Sequence, residues 1–589
     1  MGRISIPYFD GVNSFVEQNV AKSTELRYAF NARSTKIGSI EKRKGFQRIG
    51  NAPSFVSGYG LAYFNSTNAS SKNLFYVSKI GSTTAIRYLN TSDVWTALSG
   101  SGTGLSEAEC SFAVAEGKMF MVNGTDANRE IATNGTTVTT SSSTSGSLYQ
   151  SPISKKINYY KDRLYLADYT VGSTRYQNGV MFSSSPVGLV SLVDGDHASS
   201  STSIKVTDTK YINPTDSIDV YRGGTLITTL TVSAKQEYSI TVSSTSVALL
   251  SSDELWVANT YTGSRIFRWA SNPASGVNAK EYDTFKLTCG NGERIKMMVN
   301  VGDVMVLGNN NSIASWNDYN LTNFDVGVGC VSDNGYVLTK NTLFFVHYTG
   351  VYMSTGGVPK LISSKVEEFF TGASVAGLEA SVAGAKGFST FFYIGDVTLY
   401  NDDGSVYKTV SDVVLEYNIR QDNWFVHTGI PVKRFAKWVS STSGDNLAFQ
   451  YDDTETNVFE FLSTTTDKDK TGASNIEIPW EVTTSNINLQ SNFEKYSYLK
   501  KVIVELESGM NVQVFISPDD SPFYQIQGSA KTGTSTLLTT PRSELIDNVR
   551  CQQVRVSFRE ISDRACKITR IALVYDETEE EDMNVAYQN

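Results

Sequence analysis

One hairpin recurs along most of this chain, and that repetition limits what the sequence can fold into. Each copy has a polar turn pair, a strand with Leu, Met, Phe or Tyr near its start, a short turn, and a second alternating strand. The first strands read Asn73-Leu74-Phe75-Tyr76-Val77, Lys118-Met119-Phe120-Met121-Val122, Arg163-Leu164-Tyr165-Leu166, Asp303-Val304-Met305-Val306-Leu307, Thr342-Leu343-Phe344-Phe345-Val346, Thr390-Phe391-Phe392-Tyr393-Ile394 and Asn446-Leu447-Ala448-Phe449. The second strands follow as Ala85-Ile86-Arg87-Tyr88, Arg129-Glu130-Ile131, Val180-Met181-Phe182, Ile313-Ala314-Ser315-Trp316, Val351-Tyr352-Met353, Val413-Val414-Leu415-Glu416-Tyr417 and Val458-Phe459-Glu460-Phe461. Each pair predicts an antiparallel hairpin.

From Leu74 through Met119, Leu164, Val304, Leu343, Phe391 and Leu447 the spacings are 45, 45, 140, 39, 48 and 56 residues. Five of the six lie near the roughly 40 to 50 residues that one four-stranded propeller blade takes. Any antiparallel protein of this size shows hairpins, and a sandwich array spaces its strands irregularly. The near-constant interval favours a β-propeller, which also leaves only short, protected edges. The long gap holds a coherent β-rich block, with Ser203-Ile204-Lys205-Val206, Ser217-Ile218-Asp219-Val220-Tyr221, Ser239-Ile240-Thr241-Val242 and Glu254-Leu255-Trp256-Val257. It predicts a small β-domain inserted in a blade. The blade count is then six to eight, with seven favoured.

Beyond about residue 475 the strands alternate cleanly, as in Lys501-Val502-Ile503-Val504-Glu505-Leu506, Val512-Gln513-Val514-Phe515-Ile516 and Val554-Arg555-Val556-Ser557-Phe558. That pattern predicts a jelly-roll-like β-sandwich. The expected organisation of this all-β chain is an N-terminal arm and turn over 1–50 and propeller over 51–197. The inserted β-domain follows at 198–262, propeller again at 263–470, the sandwich at 471–575 and an acidic solvated tail at 576–589. The Thr/Asp/Lys-rich stretch from Thr464 to Ser474 reads as the linker before the sandwich.

Tyr (31), Phe (29), Ser, Thr, Asn and Gly suit strands and turns, while charged residues reach only 19%. The opening Met1-Gly2-Arg3-Ile4-Ser5-Ile6-Pro7 has no apolar signal core, and no stretch approaches the ~20 apolar residues of a membrane span. The expectation is a chain made and kept in cytosol, or released by lysis. Five cysteines (Cys110, Cys289, Cys330, Cys551, Cys566) without a Cys-x-x-Cys pair, and only three histidines, predict reduced thiols and no metal or other cofactor. A net charge of -9 argues against tight nucleic-acid binding, which draws on clustered Lys and Arg, yet allows DNA to pass.

Catalytic patterns fail on inspection. Gly528 to Gly533 has P-loop spacing, but Thr534 stands where the lysine should be. Ser517-Pro518-Asp519-Asp520-Ser521 occurs once and lacks the glycine of a sialidase-type turn. No nucleophile elbow surrounds His197, His347 or His427, and the latter two sit in apolar strands as structural histidines do. The pairs Asp402-Asp403, Asp452-Asp453 and Asp519-Asp520 lie in turn-like segments. The expected chain is not an enzyme.

The opening carries the most particular signature: Gly11-Val12-Asn13, then Leu26-Arg27-Tyr28-Ala29-Phe30-Asn31-Ala32, then Gly38-Ser39-Ile40-Glu41-Lys42-Arg43-Lys44-Gly45-Phe46. It resembles the start of the tail nozzle proteins of short-tailed bacteriophages, also called tail tubular protein B or packaged-DNA stabilisation proteins. Tyr160-Lys161-Asp162-Arg163-Leu164-Tyr165-Leu166, Arg265-Ile266-Phe267-Arg268-Trp269 and Gly302-Asp303 to Trp316 are similar to blades of phage propellers.

The resemblance implies a structural virion protein, assembled in the host cytoplasm into the tail. There it would form a hexameric ring below the adaptor, through which genomic double-stranded DNA is retained and then ejected. The implied partners are further copies of the chain, the adaptor or portal-proximal proteins, and tail fibres or tail tip. No sequence-specific DNA binding or membrane insertion is implied. Lys42, Arg43 and Lys44 are the candidate interface residues, for a neighbouring tail protein or DNA, with a solvated turn as the plainer reading. A host-surface glycan-binding propeller is the alternative function.

Overall fold

The computed structural model describes residues 2–577 except 15–21, 35–38, 52–54, 141–150, 185–187, 259–260, 262–266, 268, 270–283, 288–291, 325, 401–403, 441–443, 452–456, 464–467, 472–473, 491–494, 507–511, 527–541 and 561–565. Among the expectations above, Gly528 to Gly533, Asp402-Asp403, Asp452-Asp453, Cys289, most of the acidic tail and parts of the 464–474 linker lie outside the described residues. The chain divides into two compact units, Gly50–Gly329 and Met1–Ile49 with Cys330–Asn589. The described residues are overwhelmingly β, with helix confined to a 3-10 turn at Ser364–Val366 and two short α-helices, Glu367–Thr371 and Val375–Glu379. No described helix is long and apolar enough to cross a membrane.

All seven expected strand pairs form antiparallel hairpins, each in a different meander sheet. In the unit Gly50–Gly329, the first sheet runs Phe55–Tyr63, Ser71–Ile80, Thr83–Asn90, Trp95–Ala97. The second runs Ser111–Ala115, Lys118–Val122, Arg129–Ile131, Thr137–Thr140, with Ser99–Gly100 added in parallel on its outer side. The third comprises Ile153–Tyr160, Arg163–Val171, Thr174–Phe182 and Thr284–Lys286, and the fourth Met297–Val301, Val304–Gly308, Ile313–Trp316 and Leu321–Phe324.

Local chemistry sets these hairpins. Two-residue turns at Glu116-Gly117 and Lys161-Asp162 hold both residues at positive φ, as does Lys340-Asn341 in the other unit. That is the turn geometry whose twist matches paired strands.

Strand alternation then distributes side chains to two neighbours at once. Met119 and Met121 of the second sheet bury with Phe75, Val77 and Ile86 of the first, whereas Phe120 and Val122 bury with Leu164 and Leu166 of the third. Tyr165 and Ala167, on the opposite face of that same strand, pack with Met305, Leu307 and Trp316 of the fourth. Both faces are dry, so these strands read as continuous apolar runs.

The second unit repeats the scheme. Its fifth sheet is Tyr336–Thr339, Thr342–His347, Gly350–Ser354, Lys360–Leu361, and its sixth begins Val382–Lys386, Ser389–Tyr400, Val406–Asn418, Asn423–His427. Phe344 and Val346 bury with Phe392 and Leu415, while Phe391 and Val414 turn to Leu447, Phe449 and Phe461 of the seventh. The seventh sheet is Val432–Ser440, Gly444–Tyr451, Val458–Glu460, and its fourth strand is Gln47–Arg48 from the beginning of the chain.

The unit also holds a two-stranded pair, Asp469–Thr471 with Ser474–Ile476, and two C-terminal sheets around one apolar core. Leu26–Phe30 lies between Asn423–His427 and Trp480–Thr484, which continues the sixth sheet through Gln553–Glu560 and Gln513–Pro518 into a ten-stranded sheet. The other sheet orders Ala32–Arg33, Ile40–Lys42, Lys567–Glu577, Ser497–Leu506 and Arg542–Cys551, with Gly2–Ile6 also paired to Lys567–Glu577. Val482, Ile516, Val556 and Phe558 of the first share one buried cluster with Leu499, Val502, Ile568 and Leu573 of the second.

Between Thr174–Phe182 and its partner Thr284–Lys286 the chain inserts a separate six-stranded sheet, in the order Leu189–Leu192, Glu254–Val257, Ser217–Arg222, Thr225–Gln236, Ser239–Val242, Ser203–Lys205. Its first and last strands meet through the Val193–Val206 bridge, with Asp194 and Thr207 amides donating to the Lys205 and Leu192 carbonyls. The sheet thereby closes into a small barrel with its own core of Ile204, Ile218, Val220, Leu230, Ile240, Leu249 and Leu255. A separate core predicts separate unfolding. Leu255→Ala, at a fully buried position, should cost about 2–5 kcal/mol. Hydrogen exchange should accelerate across Leu189–Val257 and stay unchanged in the seven meander sheets.

Candidate functional site

The basic turn is the natural place to look for an interface, and the structure places its first two charges inside. Arg43 follows the strand Ile40–Lys42 and is among the largest fully buried side chains. Its Nη1 and Nη2 donate to the two Asp469 carboxylate oxygens at 2.7 and 2.6 Å. Its Nε donates to Asn31 Oδ1 at 2.8 Å, and the remaining donors reach the carbonyls of Lys44 (3.2 Å) and Thr428 (3.3 Å). All five guanidinium donors are therefore used, the condition under which a buried cation is tolerated.

Lys42 points into a different contact, its Nζ 2.7 Å from Glu560 Oε2 with both side chains almost wholly buried. Lys44 is half-buried. The expected interface or solvated turn is thus, for Lys42 and Arg43, an internal fastening.

The neighbouring residues of the signature serve the same fastening. Asn31 sits at φ 54°, fully buried, where its amide nitrogen donates to Thr428 Oγ1 and the Pro479 carbonyl while Oδ1 accepts from Arg43 and the Thr428 amide. An Asn at this φ keeps its backbone and all these bonds where a branched residue would be strained. Gly45 passes so close to the main chain that an added Cβ would lie 1.9 Å from the Lys468 carbonyl oxygen. Phe46 then enters the seventh sheet's core edge-on to Phe449 and Phe459.

A second polar cluster lies between the sixth sheet and the strand Ala32–Arg33. Glu416 Oε1 accepts from Arg33 Nη2 at 2.9 Å and Ser389 Oγ at 2.6 Å, and Oε2 faces His427 Nε2 at 2.8 Å. Burial raises the Glu416 carboxyl, but the Arg33 guanidinium and the His427 and Ser389 hydrogen bonds outweigh it and hold the group at about 2. Burial pushes the His427 imidazole down, against the pull of Glu416. His427 is therefore neutral with its proton on Nε2. Its Nδ1 has no partner among the described residues, so a second proton there would be buried without an acceptor.

Ser389, Glu416 and His427 are the three residue types of a hydrolase triad in an order that does not work. Here the carboxylate stands between hydroxyl and imidazole, so the serine bonds the carboxylate and not the imidazole that would have to take its proton. His347 bonds Thr349 through Nδ1 at 2.9 Å and is likewise pushed down by burial, while His197 accepts the Lys205 amide. Asp519 and Asp520 form a positive-φ turn that accepts the Gln552 and Gln553 amides and pairs with Arg555. No cluster of metal-ligand residues occurs among the described residues.

Asp469, Glu560 and Glu416 were not singled out by sequence reasoning. Only Glu416 carried a signal, a carboxylate embedded in the apolar run Val413-Val414-Leu415-Glu416-Tyr417.

No protein-family model matches this chain, and no curated protein matches it. Among solved structures it is similar to the computationally designed Ika8 protein (8% identity, covering 74% of this chain and 96% of that one, TM-score 0.29). It is also similar to BamB from Moraxella catarrhalis (8%, 72% and 100%, TM-score 0.26) and to the N-terminal domain of Nup159 (10%, 71% and 95%, TM-score 0.27). Likeness this distant carries over neither shape nor role.

Two outcomes follow. Asp469→Asn leaves Arg43 as an uncompensated buried charge and should destabilise the unit holding it by about 3–5 kcal/mol, read from denaturant midpoints. Acid should weaken the fold in two stages. His427 binds its proton more readily when unfolded, so stability drops as pH falls below 6.5. Glu416 is held ionised by the fold, so stability drops further between pH 4.5 and about 2. Urea midpoints at about pH 7, 5 and 3.5 measure both, and Glu416→Gln should flatten the lower stage.

Proposed function

We propose that this chain is a structural component of a bacteriophage tail, the ring-forming nozzle, in which the seven meander sheets close into one propeller. The observation that carries the reading is the double use of strands in the inner sheets. The second and third sheets, and the sixth in the other unit, each bury one face against the sheet before and the other against the sheet after, and the seventh is completed by Gln47–Arg48 from the start of the chain. Sheets joined in that way favour arrangement about an axis, and completing the last from the first locks such a ring.

The N-terminal resemblance adds the tail assignment. Within the fold its residues Asn31, Ile40, Lys42, Arg43, Gly45 and Phe46 all take up buried or close-packed structural positions. In this proposal the chain acts as a wall and carries out no chemistry. Six acidic copies around a hole repel phosphate and let a duplex slide, and the C-terminal sheets and inserted barrel are available for contacts with neighbouring tail proteins.

A glycan-binding role is favoured by one feature of the barrel. Trp256, Tyr221 and Tyr261 gather there, with Tyr221 and Tyr261 stacked at 3.9 Å and Trp256 edge-on to Tyr261 at 4.8 Å. Electron microscopy of the purified protein separates the readings. The nozzle predicts closed rings about a central hole, alone or with the adaptor. Particles that stay monomeric in both conditions, together with glycan-array binding lost in Trp256→Ala, would establish the alternative.

A further inference from the structure

The first 49 residues belong by packing to one unit and by covalent continuation to the other: they lie with Cys330–Asn589, yet the next residue, Gly50, opens the unit Gly50–Gly329. Their contacts are made across long sequence separations. Gly2–Ile6 pairs along Lys567–Glu577, Val12 donates to the Trp424 carbonyl, and Leu26–Phe30 fills a slot between Asn423–His427 and Trp480–Thr484. Ile40-Glu41 pairs with Ile568 and Lys567, and Gln47–Arg48 adds to Val458–Glu460. Ile6, Phe9, Val12, Leu26 and Ile40 are buried in the core of the C-terminal sheets, and Phe46 in that of the seventh sheet.

We infer that the described residues of 330–577 form an acceptor for an extended segment, that the described residues of 2–48 occupy it as a strap held by non-covalent contacts, and that the same segment supplied from a second molecule fits it equally. Three properties carry this. The strap satisfies its main chain by strand addition, a mode of recognition that depends on an extended peptide and not on a covalent tether. Its anchors alternate with those strands: Lys42 requires Glu560 from the C-terminal sheets, and Arg43 requires Asp469 from the segment after the seventh sheet. Because either cation buried without its carboxylate is strongly unfavourable, the strap docks only on an acceptor whose two parts are both formed. Its contacts outside the strap run from Lys365 and Glu368 through Glu416 and Trp424 to Glu560 and Lys567–Glu577, so these partners are made more than three hundred residues after the strap itself, which must therefore dock late.

The inference is independent of the tail assignment, and its test reads strap exchange only. A site-specific protease sequence is placed between Asn51 and Phe55 of the full chain, and the folded protein is cut. The strap should stay bound through gel filtration. A fluorescein-labelled synthetic peptide of residues 1–51 should then enter the cut protein over hours on warming below the unfolding transition, and should not enter the uncut protein. The same peptide carrying Arg43→Ala, or separately Lys42→Ala, should enter at least tenfold less. Release of the strap on cutting, failure of the wild-type peptide to enter, or equal entry of the two altered peptides would each overturn the inference.

Discussion

The Arg43–Asp469 pair is the constraint on which the architecture of this unit turns. A guanidinium taken out of water loses several kcal/mol of hydration, and a partial set of hydrogen bonds does not restore it. Here two carboxylate oxygens, one amide oxygen and two carbonyls meet all five donors. The geometry leaves no freedom in where residues 31, 43, 428 and 469 sit. Since those positions belong to the strap, the end of the sixth sheet and the segment after the seventh, one side chain sets the registration of three parts of the fold. The close approach of Gly45 to Lys468 and the entry of Phe46 into the aromatic cluster follow from that registration.

A second constraint is how a sheet with no wet face is stabilised. In the second, third and sixth meander sheets, odd and even residues of one strand serve two different neighbours, as Met119 and Phe120 do, so the core of each is shared with the sheets beside it. The inserted barrel solves the same problem by curling its sheet on itself. Ile218, Val220 and Leu255 point inward, while Trp256, Tyr221 and Asp219 take the other side. The two modes explain why the barrel can sit between two paired strands of the third sheet without disturbing their register.

The buried charges are placed for holding. Glu416 accepts from Arg33, Ser389 and His427 together, and its position between the hydroxyl and the imidazole removes the one arrangement that would activate the serine. Lys386 is used in the same way, its ammonium donating to the Phe461 and Leu462 carbonyls at the edge of the seventh sheet. Polar groups of this kind specify which strand lies beside which.

The seven hairpins were legible in the sequence because their causes are local: period-two alternation, paired positive-φ turns and β-branched or aromatic strand residues all act within about ten residues. The inserted block was legible for the same reason. The destination of the basic turn was not, because a run of Lys and Arg looks alike whether it meets water or carboxylates, and Asp469 and Glu560 lie more than four hundred residues away. Nor was the pairing of Gln47–Arg48 with Val458–Glu460, since a two-residue strand carries no periodicity of its own. Sequence alone determined that this chain makes antiparallel hairpins repeated at near-constant intervals. Only the tertiary structure decided which strands adjoin and which charges go inside, because those choices depend on complementarity between segments that have no contact along the chain.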